Sequence, residues 1–269
     1  MQETPEGVEG ILDRPEQIDT TATFHTLWGI TVELMEKITA RFDVTRDPGT
    51  EQFESYGGET EHPSGHLAAF TGPELDWLVH SWIGNPPSGF TTMHLTAWLG
   101  PHIDVPHIGI AWGTLPDLWF SIDYIPRSDL MLDTESLDKY YAPLDRQFHE
   151  LCADEGLRPF TSEVLYVRQA LSEVAACHTT DTTRERLDQI RELVHDRVDR
   201  WLGYVDEAVP VPEDRRAQLA ADDLARRRTL AERDPANIMA VRFFGEELTG
   251  SLVRARWGGD RQIPRPSEP

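Results

Sequence analysis

A histidine in the middle of an apolar, strand-like stretch is the first residue whose surroundings could support chemistry. The stretch TTMHLTAWLGPHIDVPHIGIAWG, residues 91–113, places His94 between Met93 and Leu95. Its turn-like GPHIDVP segment separates two apolar runs, which predicts a β-hairpin. An imidazole here could be a hydrogen-bonded core group, a metal ligand or an acid/base residue, because its ordinary pKa lies near neutrality. These residues alone leave the three alternatives open.

Several well-known motifs are absent from the sequence. It contains no GxGxxG, Walker A, GxSxG or HExxH pattern, which argues against a Rossmann dehydrogenase, a P-loop NTPase, an α/β-hydrolase and a zinc protease. His102 and His107 follow His94 closely, but their spacing lacks the regularity of a zinc motif. The sequence therefore predicts no metal site.

Composition and net charge limit the kinds of binding partner and the cellular compartment that we expect. The 269 residues carry 47 acidic and 25 basic side chains, a formal charge of −22, which opposes binding to nucleic acids or anionic membranes. No apolar run approaches the ~20 residues that cross a bilayer, and the acidic start lacks the features of a signal peptide. Cys152 and Cys177 match neither a disulfide framework nor a CxxC pair. We expect a cytoplasmic protein with reduced thiols.

Four short, β-rich apolar runs are joined by tight links. They occupy residues 75–83, 90–99, 107–115 and 118–126. Because parallel strands need long crossovers, these links predict an antiparallel meander. Helical spacing precedes the runs at 24–42 and follows them at 134–156, 184–205 and 234–257, and residues 160–176 could begin as a strand and continue as a helix. This order predicts an α+β fold in one domain with a sheet covered on both faces.

The two ends of the chain are polar and contain Pro and Gly. We expect a flexible N-terminal segment at 1–20, a folded domain at 21–257 and a flexible C-terminal tail at 258–269.

Two distant segments carry a family resemblance. The stretch MHLTAWLGPHIDVPHIGIAWG resembles the central hairpin of ferredoxin-dependent bilin reductases, with Asp104, Pro106 and Gly109 at the family spacing from His94. The stretch ERDPANIMAVRFFGEE resembles the C-terminal segment of that family, which contributes Asp234. Between them, LDWLVHSWI, IDYIPRSDL, LDKYY and TSEVLYVRQALSEVA resemble, in the same order, segments of a sister group, the red chlorophyll catabolite reductases. The resemblance covers roughly residues 70–257.

This resemblance implies a fold and a reaction. The fold is an α/β/α sandwich, a central antiparallel sheet flanked by helices on both faces, with an open-chain tetrapyrrole between the sheet and the C-terminal helices. Ferredoxin delivers single electrons, side chains supply protons, and neither a bound metal nor a flavin takes part. The implied protein is a bacterial-type reductase of a linear tetrapyrrole, such as a bilin or a chlorophyll catabolite, or of a similar conjugated pigment.

The same resemblance suggests roles for particular residues. His94 and Asp234 match the family's proton donors, and Asp234 before Pro235 is also the expected N-cap of a helix. Arg168 and, more weakly, Arg242 could bind a propionate of the pigment, since Arg binds carboxylates through two parallel hydrogen bonds. The remaining candidates for substrate binding are Asp104, His107 and Trp98. Four aromatic residues could flank a flat chromophore or pack the core: Trp98, Trp112, Trp119 and Phe120.

One family position differs. Bilin reductases typically carry an Asp seven residues beyond Asp104, and the chlorophyll catabolite branch carries a Glu there, but this sequence has Ala111. Asp104, Asp76 or Asp123 could replace the lost acid. Two alternatives to the reductase therefore stay open: a non-catalytic tetrapyrrole-binding protein, and an enzyme on the same fold that acts on a different secondary metabolite.

The implied ferredoxin partner would need a basic docking surface on this acidic protein. Ferredoxins are acidic, so an acidic reductase needs a local basic patch to dock one. The arginine clusters within residues 184–200 and 226–228 are the predicted docking patch.

Overall fold

The sheet and helices below are those of a computed structural model that describes residues 18–57, 63–114, 117–162 and 164–265. In this part of the chain nine strands form one sheet in the order β1-β3-β4-β5-β6-β7-β9-β8, with β2 paired to β3, and every pairing is antiparallel. The strands are β1 (Thr45–Arg46), β2 (Tyr56–Gly57), β3 (Ser64–Thr71), β4 (Leu75–Asn85), β5 (Phe90–Leu99), β6 (His107–Gly113), β7 (Leu118–Ile125), β8 (Arg158–Pro159) and β9 (Ala176–Thr180).

Helices precede and follow the central strands, as predicted. They are α1 (Thr21–Arg41), α2 (Thr134–Ser136), α3 (Ala142–Ala153), α4 (Leu165–Ala170), α5 (Arg184–Asp206), α6 (Glu213–Glu232) and α7 (Ala236–Trp257). A π turn at Leu137–Tyr141 joins α2 to α3, and short 3-10 turns lie at Pro48–Phe53 and Pro86–Ser88.

The sheet separates two apolar clusters. On one face, Leu34 of α1 and Val198 of α5 pack with Leu95 of β5. On the other face, Trp77 and Trp98 pack with residues of α7 such as Leu252. The predicted α+β fold, with an antiparallel sheet between helices, is therefore confirmed.

The meander is also confirmed, because β4 to β7 follow the four predicted apolar runs closely. The order predicted for residues 160–176 is wrong: the helix α4 comes first, and the strand β9 follows at Ala176–Thr180. The strand forms there because β9 pairs with β7 and extends the sheet, which is a tertiary contact that local propensity does not encode.

The start and end of the chain lie partly outside the described residues, namely 1–17 and 266–269. Residues 258–265, which belong to the predicted flexible tail, contact the sheet. Arg261 Nη1 lies 2.8 Å from Asp76 Oδ1, and the backbone N–H groups of Gln262 and Ile263 donate to the Asp47 carboxylate. The predicted division into segments stays a prediction.

Within the described residues, every helix is too short or too polar to cross a bilayer.

Candidate functional site

Five residues from five strands form one row across the sheet. In the strand pairing, Ser81 is the partner of His94, His94 of Ala111, Ala111 of Ser121, and Ser121 of Cys177. Paired residues share a face of the sheet. His94 also alternates in phase with Trp98, which packs in the cluster that contains part of α7. The row therefore faces α6 and α7.

This face is open in the middle of the sheet. On the opposite face, residues such as Leu95, Ile110 and Phe120 are buried by α1 and α5. On the α7 side, the following residues are all partly exposed: His94, Thr96, Gly109, Ala111, Trp119, Ser121, Cys177 and Thr179. Ala111 adds little side-chain volume to the central strand β6, whereas the space above Gly109 is taken by Ile125, whose Cδ1 atom would lie 3.0 Å from a Cβ at this position. We call this set of eight residues the sheet hollow.

A break in α7 brings a carboxylate to the hollow. Gly245, with φ 78 and ψ 170, interrupts the helix, and glycine adopts a positive φ at little cost. Asp234, just before α7, accepts a hydrogen bond from Arg256 at its end over 2.6 Å. In a straight helix, 22 residues would span about 33 Å. The chain must therefore fold back at Gly245, so that both ends of α7 meet.

Asp234 has two sets of partners. Its Oδ1 accepts from the backbone N–H of Ala236 over 2.9 Å, although the helix begins one residue later than predicted, at Ala236, with Pro235 at the N-cap position. Its Oδ2 accepts from Arg256, and the side chain is only 15% exposed. Burial pushes the pKa of Asp234 upward, but Arg256 and His94 together bring it below its ordinary value. The carboxylate is therefore ionised and rigidly held.

His94 lies within electrostatic reach of both groups. Burial, and then the positive charge of Arg256, lower the pKa of His94, whereas Asp234 opposes the shift. The net result is a neutral imidazole at neutral pH beside an ionised carboxylate. A neutral imidazole offers one N–H donor and one acceptor, so the pair can bind the polar edge of a ligand and exchange protons with it.

The predicted substrate-binding residues are more scattered. Arg168 is exposed on α4, where its Nη1 donates to the carbonyl of Ser162 over 2.6 Å, and Arg242 is exposed on the first half of α7. Asp104 lies in the loop beyond the end of β5, with its carboxylate 3.9 Å from Arg215. The structure therefore places Arg168 on α4 and Arg242 on α7, whereas Asp104 lies in a loop outside the sheet. Their predicted roles stay predictions.

Trp98 and His107 lie deeper. Trp98 is 4% exposed and His107 is fully buried, and their ring centroids are 4.7 Å apart. Leu99 N–H donates to His107 Nδ1 over 3.0 Å, and His107 Nε2 lies 3.0 Å from the carboxylate of Asp223 on α6. Both residues thus pack α6 against the sheet, and they do not belong to the open surface of the hollow.

Ala111 sits beside His94, at the point where the family pattern has an acid. Of the three suggested substitutes, Asp76 is bound by Arg227 and Arg261. Asp123 is on the α7 face, next but one to Ser121, but it is buried and accepts hydrogen bonds from Ser172 N–H and Oγ. The acid that reaches His94 is Asp234.

The sequence analysis missed Arg256. A basic residue in the last turn of a helix is ordinary, and only the break at Gly245 turns it toward Asp234. The FFG pattern around Gly245 was noticed as a family match, and its glycine was the available signal for a bend.

Apolar side chains are exposed at the edge of the hollow next to Asp234. Leu165 and Tyr166 of α4, and Ile238 and Val241 of α7, are each more than a third exposed. The guanidinium of Arg233, directly before Asp234, lies 5.0 Å from the Tyr166 ring centroid, which places α4 beside the start of α7. Exposed apolar patches of this kind commonly mark binding surfaces.

The predicted docking patch needs a correction. Within its two clusters, Arg197 is fully buried and Arg227 is 3% exposed. Arg191 pairs with Glu33, Arg186 with Asp154 and Arg228 with Glu232. The clusters are therefore mostly core residues and neutralised surface pairs, because helical arginines in an acidic protein have carboxylates within reach. They do not form a free basic patch.

Among the described residues, no three His, Cys, Asp or Glu side chains converge closely enough to hold a metal ion.

The geometry defines a class of protein. The fold superimposes with a TM-score of 0.70 on tomato phytochromobilin synthase, solved in complex with biliverdin, over 86% of this chain and 83% of that one, at 16% identity. This likeness shows a shared fold, an antiparallel sheet between helices.

The family follows from the sequence match. Residues 30–256 match the family model of red chlorophyll catabolite reductase (RCC reductase), so the chain belongs to this family. The red chlorophyll catabolite reductase of Hordeum vulgare is 26% identical over 193 residues, which are 66% of this chain and 92% of the barley protein.

Proposed function

We propose that the protein reduces a linear tetrapyrrole bound in the sheet hollow, with electrons from reduced ferredoxin and protons delivered through His94 and Asp234. The observation that carries this proposal is the placement of His94, on a central strand, beside Asp234, at the start of the last helix, on a partly exposed face of the sheet. The family, whose name denotes a reductase of a red chlorophyll catabolite, and a structural neighbour that binds biliverdin both support a tetrapyrrole as the substrate.

The chemistry follows from the charges. Reduction of one double bond takes two electrons and two protons, and each electron that enters the conjugated system makes it more basic. Negative charge that develops on the ligand beside His94 favours the imidazolium form, so after each of the two electrons the histidine takes a proton from solvent and passes it to the ligand. Asp234, held ionised by Arg256, can accept hydrogen bonds from pyrrole N–H groups and fix the orientation of the ligand.

A mixing experiment tests the proposal. Purified protein is mixed with biliverdin or with red chlorophyll catabolite, and visible spectra are recorded before and after a reduced ferredoxin system is added. We expect a spectral shift on mixing, followed by loss of the original bands and new absorption at shorter wavelength, since reduction shortens the conjugated path. His94→Gln and Asp234→Asn should keep the shift on mixing and slow the second step by about a hundredfold or more.

A second candidate function rests on Ala111. Because this residue faces His94 without an acidic group, the fold could bind a tetrapyrrole without reducing it. A shift on mixing with no change after ferredoxin would favour this pigment-binding role and refute the reductase. No spectral response to either tetrapyrrole would contradict both.

A further inference from the structure

The structure separates the four aromatic residues that could flank a flat chromophore. Trp98, Trp112 and Phe120 are at most 4% exposed and belong to the two apolar clusters. Trp119 alone among these four is partly exposed, and it lies on the α7 face of β7, within the sheet hollow. Its role is therefore different from that of the core aromatic residues.

The Trp119 ring is held in place from two sides. A Cβ atom on Gly113 would lie 2.6 Å from the Trp119 Nε1 atom, so the indole lies across this glycine and any larger residue would displace it. Phe160, which follows β8, meets the indole edge-on, with ring centroids 6.3 Å apart and planes at 82°. The indole is therefore a fixed aromatic wall, and the residue stays partly exposed.

The register gives the span between this wall and the proton-exchanging pair. From His94 the row crosses β6 at Ala111 to Ser121 of β7, and Trp119 lies two residues along that strand. With strands about 4.8 Å apart and about 3.4 Å per residue, the Cα atom of Trp119 lies about 12 Å from that of His94, and the indole, which lies across Gly113 of β6, is closer. The floor between them carries only the small side chains of Ala111 and Ser121.

We propose that Trp119 is a substrate-positioning residue that stacks on one ring of a flat conjugated ligand, another ring of which contacts His94 and Asp234. The inference rests on the function proposed above and deepens it. It favours ligands with several rings in one plane, because the two residues stand on different strands with their Cα atoms about 12 Å apart. It also explains why the floor residues are small, since a larger side chain would lift the ligand from the wall.

The test uses biliverdin as the probe. Its dissociation constant and the induced circular dichroism of the bound pigment are measured for wild type, Trp119→Ala and Trp119→Phe. Trp28→Ala is the matched control, because Trp28 is also partly buried but stacks on His80 on the opposite face of the sheet. We expect Trp119→Ala to weaken binding about tenfold and to change the circular dichroism, and Trp119→Phe to restore both largely, as aromatic stacking requires.

The outcomes are distinct. Wild-type affinity in Trp119→Ala refutes the inference alone, and so does an equal loss in Trp28→Ala, which would indicate a general loss of packing. A Trp119→Phe variant as weak as Trp119→Ala also refutes it, because the stacking face would then be irrelevant. Wild-type protein that binds no tetrapyrrole refutes the proposed function itself.

Discussion

His94 and Asp234 titrate as a coupled pair, because each lies in the electrostatic field of the other and of Arg256. Arg256 lowers the pKa of both partners, whereas the two partners shift each other in opposite directions, Asp234 raising that of His94 and His94 lowering that of Asp234. A positive charge beside a histidine usually opposes its work as an acid. Here the effect of Arg256 on His94 is partly offset, because Arg256 also fixes the Asp234 carboxylate, which stabilises the imidazolium form of His94.

Removal of this arginine should shift both groups together. In Arg256→Gln the pKa of Asp234 and that of His94 should both rise, since the positive charge that favours carboxylate and disfavours imidazolium is gone. The measurement is an NMR titration of the His94 ring, followed by the pH profile of pigment reduction, which should extend to higher pH. Arg256→Lys keeps the charge and should titrate nearly as wild type; an unchanged His94 titration in the Gln variant would contradict the assignment.

Residues that have a family position could be proposed from sequence, whereas residues whose contacts depend on the fold could not. His94 and Asp234 could be proposed together because each stands in a recognisable segment, and the structure brings them together. Arg256 could not, because its contact depends on a bend. Trp119 was indistinguishable from Trp98 in sequence, and only burial separates a ring in the core from one in the hollow.

At the scale of elements, strands were easier to predict than the break in a helix. Tight turns between apolar runs specify a meander locally. The sequence of α7 keeps helical character on both sides of Gly245, so a continuous helix over 234–257 was the natural prediction. The helix α6 is not among the helices predicted from sequence, because the charged run within it has a weak apolar stripe. Its burial comes from Asp223 and Arg227, which pair with groups of the sheet.

Asp123 links the segment after α4 to the sheet, and its titration should be visible in stability. Burial raises its pKa from 3.8 to about 7 against the stabilising hydrogen bonds from Ser172. At pH values between 3.8 and about 7, Asp123 is therefore protonated in the folded protein but ionised in the unfolded chain. The free energy of unfolding should therefore fall as pH rises from about 4 to about 7 and then level off.

The variant Asp123→Asn, which cannot ionise at this position, should lose this dependence of stability on pH. Urea unfolding of wild type and Asp123→Asn at pH 4.5, 6 and 7.5 gives the comparison, and the difference between the two proteins isolates the group from the other titrating residues. We expect the free energy of unfolding of Asp123→Asn to increase relative to that of wild type as the pH rises. A constant difference across the range would mean that the carboxyl is ionised throughout.

At the scale of the whole molecule, the net charge is −22, so an acidic electron carrier could dock only at a local basic patch. The predicted clusters on α5 and α6 do not supply a basic surface, but Arg233, exposed beside Tyr166 and the start of α7, lies close to the hollow. Electron transfer favours short distances, so a docking surface at this edge fits the proposed reaction better than one on α5.

Charge reversal discriminates between the two surfaces. Arg233→Glu should lower kcat/KM for ferredoxin several-fold and weaken its dependence on salt, because surface charges at a docking site act mainly on association. Arg184→Glu, at the start of α5 and 95% exposed, is the matched control and should leave turnover unchanged. Biliverdin affinity should be the same in both. The reverse ranking of the two variants would restore the α5 cluster as the docking site.

The fold-back of α7 bears on how the protein is made. The sheet is complete once residue 180 has been synthesised, but Asp234 acquires its cationic partner only when residue 256 has left the ribosome, and Gln262 and Ile263 must still reach Asp47. A nascent chain can thus form every strand of the sheet before Asp234 meets Arg256. Competence for the proposed reaction therefore depends on α7, which is synthesised after the whole sheet.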